Sequence, residues 1–267
     1  MFDRRIPSFV ELPLVLALAV LAWDSAIAQT SKPHPWIASA PGEFVRLIDR
    51  GNVQIAIDDE RIKKAGKSAL TLFHFVIDYD FKLRHQIVGY DEETMTWRAK
   101  VVAWIDQPKV RLEHTICLRS SFTPSSPWES KLLRHEFDHV SISTDPRLTK
   151  IIKRTLQQRR EWVAEFQQTS APKEQELRKS IYEKVVDEVK MLEQLVQFDY
   201  DLLDEESSHG LSDIQNRHAF FKGLFTVEGL ERGKFKLDAP MKAFVKDKLS
   251  NAASDKEFQS HYLFLAP

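Results

Sequence analysis

One cysteine, Cys117, is all this chain of 267 residues contains, so no internal disulfide can form and stability has to come from a packed core. An excess of either charge is lacking too. A formal net charge of -1 gives no electrostatic basis for holding nucleic acid or a strongly charged membrane surface, and neither is expected as a partner. Internal repeats and low-complexity tracts are absent, which excludes solenoids and disordered linkers as the organising principle. What is present is 43% hydrophobic and 29% charged residues, an ordinary globular composition at a length suited to one sizeable domain or two small ones.

The N-terminus has a different character. Asp3, Arg4 and Arg5 precede an apolar run from Leu12 to Trp23, and Ala26-Ile27-Ala28 closes the segment. Residues 1–28 therefore read as a signal peptide cut before Gln29, with the periplasm or cell exterior as destination. Uncleaved, the run is an N-terminal membrane anchor; cleaved, it leaves a formally neutral chain without membrane insertion.

Residues 29–42 read as an irregular lead-in, 43–222 as a single α+β domain and 223–267 as a C-terminal extension. From Phe44 to Pro124 the pattern favours strands. Val53 to Ile57 and Trp97 to Ile105 alternate, Leu72 to Tyr79 is rich in aromatic and branched residues, and the 60–70 segment has a helical alternative. Asp106-Gln107-Pro108 interrupts, and Val110, Leu112, His114, Ile116 and Leu118 then share one face. His114 and His74 read as sheet-core histidines. After Pro124 the period changes. Ser126-Pro127-Trp128-Glu129 starts one helix, reaching about Ser143. Asp145-Pro146 caps a second over about 148–166. A third follows Pro172 toward Leu203, and a short one lies within 211–222. The expected fold class is α+β, a mostly antiparallel N-terminal sheet packed with C-terminal helices.

The first of these helices carries the chemistry in its sequence HEFDH. His135 and His139 stand four residues apart and project from one helix face toward a shared ion. Glu136 beside them suits a general base acting on a metal-activated water. Asp138 has two readings, an outer acceptor or a solvated surface residue. The plain alternative for the histidines is a charged helix surface. Two histidines make half a site, and four residues offer a third ligand. Asp145 follows closely but is also a helix cap, Glu161 and Glu165 lie on the next predicted helix, and His209 precedes Gly210 where the long helix ends.

Together the signal-bearing start, the strand-rich front, HEFDH and the segment YDLLDEESSHG resemble the bacterial predicted secreted zinc-dependent proteases of the DUF922 type. The resemblance spans about residues 80–212, with a longer gap between Tyr200-Asp201 and His209-Gly210 than that family's short form. It implies a zincin-like HExxH metallopeptidase with Zn2+ on His135, His139 and His209 and with Glu136 as base. Tyr200 is then a candidate for oxyanion stabilisation and Asp204 for orienting a ligand imidazole. The expected function is hydrolysis of a peptide or protein substrate laid along a sheet edge at 97–105 or 110–118. The alternatives are a non-catalytic metal-binding envelope protein and a hydrolase of nonpeptide amides.

Overall fold

The computed structural model describes residues 35–249 and 261–262; the signal-peptide segment lies outside the described residues. Helices and a four-stranded sheet make up a mixed α/β fold. After a 3-10 turn at Pro35–Ser39 come α1 (Gly42–Gly51), β1 (Val53–Ile57), α2 (Asp59–Ala65), and the two long strands β2 (Ala69–Asp91) and β3 (Thr96–Leu118). Then follow α3 (Lys131–Ser143), α4 (Pro146–Gln157), β4 (Arg160–Gln167), α5 (Glu174–Glu206), α6 (Arg217–Gly223), α7 (Val227–Arg232) and α8 (Ala239–Phe244), with a π-helical turn at Val245–Leu249.

β2 and β3 form an antiparallel hairpin that carries most of the sheet. β1 joins the far end of β3 in parallel, with Val53 opposite His114, and β4 joins the near end antiparallel, with Thr96 opposite Gln167. β3 is therefore engaged on both sides, and β1, β4 and β2 each pair with it alone and lie at the edges. Asp106-Gln107-Pro108 does not end a strand as expected. It is a bulge within β3, where Gln107 takes a φ of 53° between the paired residues Asp106–Asp80 and Lys109–Asp78.

Two further segments depart from the sequence expectation. Residues from Gly42 onward are helix rather than strand, because Phe44, Leu47 and Gly51 line one buried face at helical spacing. The helix expected over 148–166 ends at Gln157, and 160–167 is a strand. There the period changes to two: Ala164 is buried and Trp162 and Phe166 half-buried, while Glu161, Val163 and Glu165 face out. The helix entry at Ser126 is also split, a 3-10 turn at Pro127–Glu129 standing before α3.

α3 runs between two apolar clusters. Leu133, Phe137 and Val140 pack with Phe44, Ile116 and Trp128 on one side, and Ile142 joins the larger core of the long strands, α4 and α5 on the other. From His135 to Ser143 every residue is buried. The described residues beyond 223 belong to the same core, to which Phe225, Leu230, Phe235, Val245 and Tyr262 contribute. Its last described residues reach the C-terminal end of α3, with His261 Nε2 2.8 Å from the Ser141 carbonyl and the Tyr262 hydroxyl donating to Asp145 Oδ2 at 2.6 Å.

Candidate metal centre

An amphipathic surface helix keeps its charged residues in water. α3 does the opposite: His135, Glu136, Asp138 and His139 all lie in one buried stretch, and each needs a partner to offset desolvation. Asp138 finds Arg217 of α6, an ion pair that fastens that helix to α3. Glu136 accepts a 2.7 Å hydrogen bond from the Thr71 hydroxyl of β2. Burial pushes its carboxyl up to about 7, against the opposing effects of His135 and that hydrogen bond.

The two histidines meet a carboxylate from α5. The last turns of that helix bury Tyr200, Leu203, Asp204 and Ser207, the spacing of a single helix face turned to α3. Asp204 Oδ1 lies 2.9 Å from His135 Nε2 and 3.2 Å from His139 Nε2, and the two imidazole nitrogens are 3.1 Å apart. This buried triangle is a group able to hold a metal ion. Ligands about 2.0–2.1 Å from a tetrahedral zinc stand about 3.3 Å from one another. The observed separations match that edge to within a few tenths of an ångström.

Protonation favours the same use. Ser207 Oγ donates to the Leu203 carbonyl at 2.7 Å, so it accepts from His135 Nδ1 at 3.2 Å. With its proton fixed on Nδ1, His135 turns a bare Nε2 toward the centre of the group. Burial draws His139 down to about 4 despite the nearby Asp204 carboxylate, so its ring is neutral. Its Nδ1 has no hydrogen-bond partner among the described residues, and the ring is held instead by Tyr200, whose centroid lies 4.4 Å away. For Asp204, burial opposes ionisation, but the facing imidazoles of His135 and His139 and the hydrogen bond from Lys67 prevail, holding its carboxyl far below the ordinary range. Its two oxygens divide the work. Oδ1 faces the imidazoles, while Oδ2 takes Lys67 Nζ at 2.7 Å and lies 3.4 Å from His209 Nδ1.

The predicted site residues are thus placed unequally. His135, Glu136 and His139 are brought together. The third member is Asp204, which the sequence suggested only as a support, and His209 stands at the rim with its side chain 68% exposed. His209 lies beyond α5 in a left-handed run, Ser208, His209 and Gly210 having φ of 49°, 57° and 78°. Gly210 is required there, because a Cβ would sit 2.8 Å from His135 Cβ and Cγ. Tyr200 is buried beside the group, but its hydroxyl donates to Ser143 Oγ at 3.0 Å, and burial raises its pKa far above normal.

The other candidates lie elsewhere. Asp145 is the cap of α4, accepting from the Arg147 backbone N–H at 2.7 Å and pairing with the Arg147 guanidinium. Glu161 and Glu165 are on the exposed face of β4, where Glu161 pairs with Lys100. His114 is the core histidine expected, its Nδ1 2.6 Å from the Gly51 carbonyl and its Nε2 2.5 Å from Ser143 Oγ. His74 is exposed and paired with Glu113. Sequence reasoning missed Thr71, Lys67 and Ser207 altogether. Ser207 alone left a signal, one helical turn after Asp204.

Compared with family models, with curated proteins and with solved structures, the chain matches none, and what this centre does has to be read from its own geometry.

Proposed function

We propose that the protein is a zinc-dependent peptidase of zincin-like design, with His135, His139 and Asp204 as metal ligands and Glu136 as general base. The observation that carries this reading is the buried triangle whose sides match a tetrahedral zinc site, with an acidic side chain adjoining it in sequence and raised to about 7. A zinc ion there supplies a Lewis acid that polarises a carbonyl and acidifies water. The chain's residues do the rest. Glu136 accepts a proton from the attacking water and returns it to the leaving amine, and Thr71 orients its carboxylate from β2. Ser207 fixes the His135 tautomer, and Lys67 keeps Asp204 ionised with Oδ1 directed inward.

The edge for a peptide substrate is β2, in place of the two β3 segments expected from sequence, since β3 has neighbours on both sides. β2 carries Thr71, the residue that touches Glu136, so a chain paired along it passes the centre. The secretory start at residues 1–28 belongs to the same proposal, as does the likeness to secreted zinc-dependent proteases in HEFDH and YDLLDEESSHG. No helix among the described residues is long and apolar enough to cross a membrane.

One observation favours a second reading. His135, His139 and Asp204 are only 5%, 4% and 6% exposed, and closed zinc sites are characteristically structural. On that reading the ion is a clasp joining α3 to α5 in a protein without hydrolytic activity. Zinc-loaded protein incubated with a diverse peptide library, with products read by mass spectrometry, separates the two. Cleavage by the wild type and none by Glu136→Gln at equal zinc content supports the peptidase. Full zinc occupancy without cleavage supports the clasp, and cleavage unchanged in Glu136→Gln removes that residue as the base.

A further inference from the structure

A metal-bound imidazole is usually aimed by a hydrogen bond to its second nitrogen. His135 has Ser207 for this, whereas His139 Nδ1 has no partner among the described residues. The rings of His135 and Tyr200 pack on His139, the latter with its centroid 4.4 Å away and its plane inclined by 51°. Tyr200 is in turn anchored by a chain of hydrogen bonds through α5, α3, β3 and α1. Its hydroxyl donates to Ser143 Oγ at 3.0 Å, Ser143 Oγ lies 2.5 Å from His114 Nε2, and His114 Nδ1 lies 2.6 Å from the Gly51 carbonyl. The last member fixes the direction of the chain. A carbonyl oxygen only accepts, so the proton of His114 sits on Nδ1. Burial draws His114 down to about 4, which leaves the ring neutral and its Nε2 an acceptor. Ser143 therefore turns its one hydroxyl proton to His114, in preference to the longer contacts of 3.1 and 3.2 Å with the Val140 and His139 carbonyls. Every proton in the chain points away from the metal triangle.

We propose that Tyr200, Ser143 and His114 form a positioning relay that sets the orientation of His139 as a metal ligand, with the end of α1 as its fixed point. The inference rests on the metal reading of the triangle, and it gives Tyr200 a role other than oxyanion stabilisation. A phenol whose proton is committed to Ser143 has none to offer a developing oxyanion. What it gives His139 is a ring face. Ser143 stands one helical turn after His139 on the same side of α3, so Tyr200 touches that helix twice, with its ring on the ligand and its hydroxyl on the serine. Two attachments fix a ring where one would let it turn. At the far end the anchor requires glycine, since a Cβ at Gly51 would sit 3.0 Å from His114 Nδ1 and 2.9 Å from Val140 Cγ1.

The test compares the wild type with Tyr200→Phe, Ser143→Ala and the double variant. Zinc affinity is measured by competition with a zinc-binding dye, and the cobalt(II)-loaded proteins give visible absorption bands that follow the ligand geometry. Tyr200→Phe keeps the ring and its shape, so folding survives the change, and circular dichroism checks all four proteins. Each single variant is expected to lose about 10–100-fold in zinc affinity and to shift the cobalt bands. The double variant should match Ser143→Ala to within about twofold, because both substitutions break the same hydrogen bond. Effects that multiply in the double variant overturn the relay. So does a Tyr200→Phe protein that binds zinc like the wild type; if it also loses turnover, the oxyanion role returns to the phenol. Lower stability with affinity and bands unchanged marks a purely structural network and overturns the proposal as well. A wild type that binds neither ion overturns the metal reading itself, and this inference with it.

Discussion

His135 Nε2 and Asp204 Oδ1 lie 2.9 Å apart although 69 residues separate them in the chain. The pair joins the HEFDH helix to the last turns of α5, and under the proposed function it makes Asp204, in place of His209, the third ligand. Asp204→Ala is therefore expected to weaken zinc binding by more than about a hundredfold, whereas His209→Ala keeps close to one zinc per chain. Metal analysis after dialysis against buffered zinc decides the matter. Loss in His209→Ala with retention in Asp204→Ala would return the ligand role to the histidine.

Ser207 holds the proton of His135 away from the centre. Its removal in Ser207→Ala leaves the imidazole free to change tautomer, and a fall in zinc affinity of about 10–100-fold is expected. The helix content should be unaltered, since the serine stands just past the end of α5. A competition titration against a zinc-binding dye measures the affinity, and an unchanged value would mean that Ser207 does not set the tautomer.

Gly210 combines a φ of 78° with direct contact on His135. Gly210→Ala puts a methyl group into the imidazole and strains the backbone, at an expected cost of about 1–3 kcal/mol. Chemical denaturation should show this loss together with weaker zinc binding, because the displaced ring is one of the proposed ligands. Loss of stability with zinc affinity intact would show that the turn yields instead of the ring.

Asp199, one residue before Tyr200, is buried with Oδ2 unpartnered among the described residues, and burial pushes its carboxyl up to about 8. The folded protein therefore keeps a proton that the unfolded chain releases near 3.8. The associated stability is fully present below that value and is lost as the pH rises through about 8. Asp199→Asn should match the wild type near pH 4 and exceed it at pH 9 by on the order of a few kcal/mol. Urea denaturation across this range is the measurement, and parallel curves for the two proteins would refute the assignment.

Much of the helical half was legible because local signals agreed with the tertiary outcome. The Asp145-Pro146 cap and the start after Pro172 lie where the chain was expected to place them, and Leu177, Ile181, Val185 and Leu192 form the buried stripe of α5 at helical spacing. HEFDH was legible for the same reason, its two histidines being neighbours on any helix. β4 lies within the helix expected over 148–166 because Gln157, Gln158 and Arg159 offer no glycine or proline to mark the end of α4, although Trp162, Ala164 and Phe166 alternate. The third ligand was harder to see. Asp204 is one acidic residue among several in DLLDEE, and only the packing of α5 against α3 marks it out. His209 drew attention through its chemistry, but the left-handed turn that carries it leaves it at the rim.

The contacts around Asp145 set an order on the folding of a chain that emerges N-terminus first. Asp145 and Arg147 are both buried, and their partners include the carbonyls of Phe221 and Lys222 and the hydroxyl of Tyr262. All three members of the metal triangle have been synthesised once Asp204 appears. The floor beneath them is unfinished, because the charged turn at the end of α3 still lacks the groups that satisfy it. A nascent chain halted short of residue 262 would therefore hold all three proposed ligands and still lack the Tyr262 hydroxyl that reaches Asp145 just past α3.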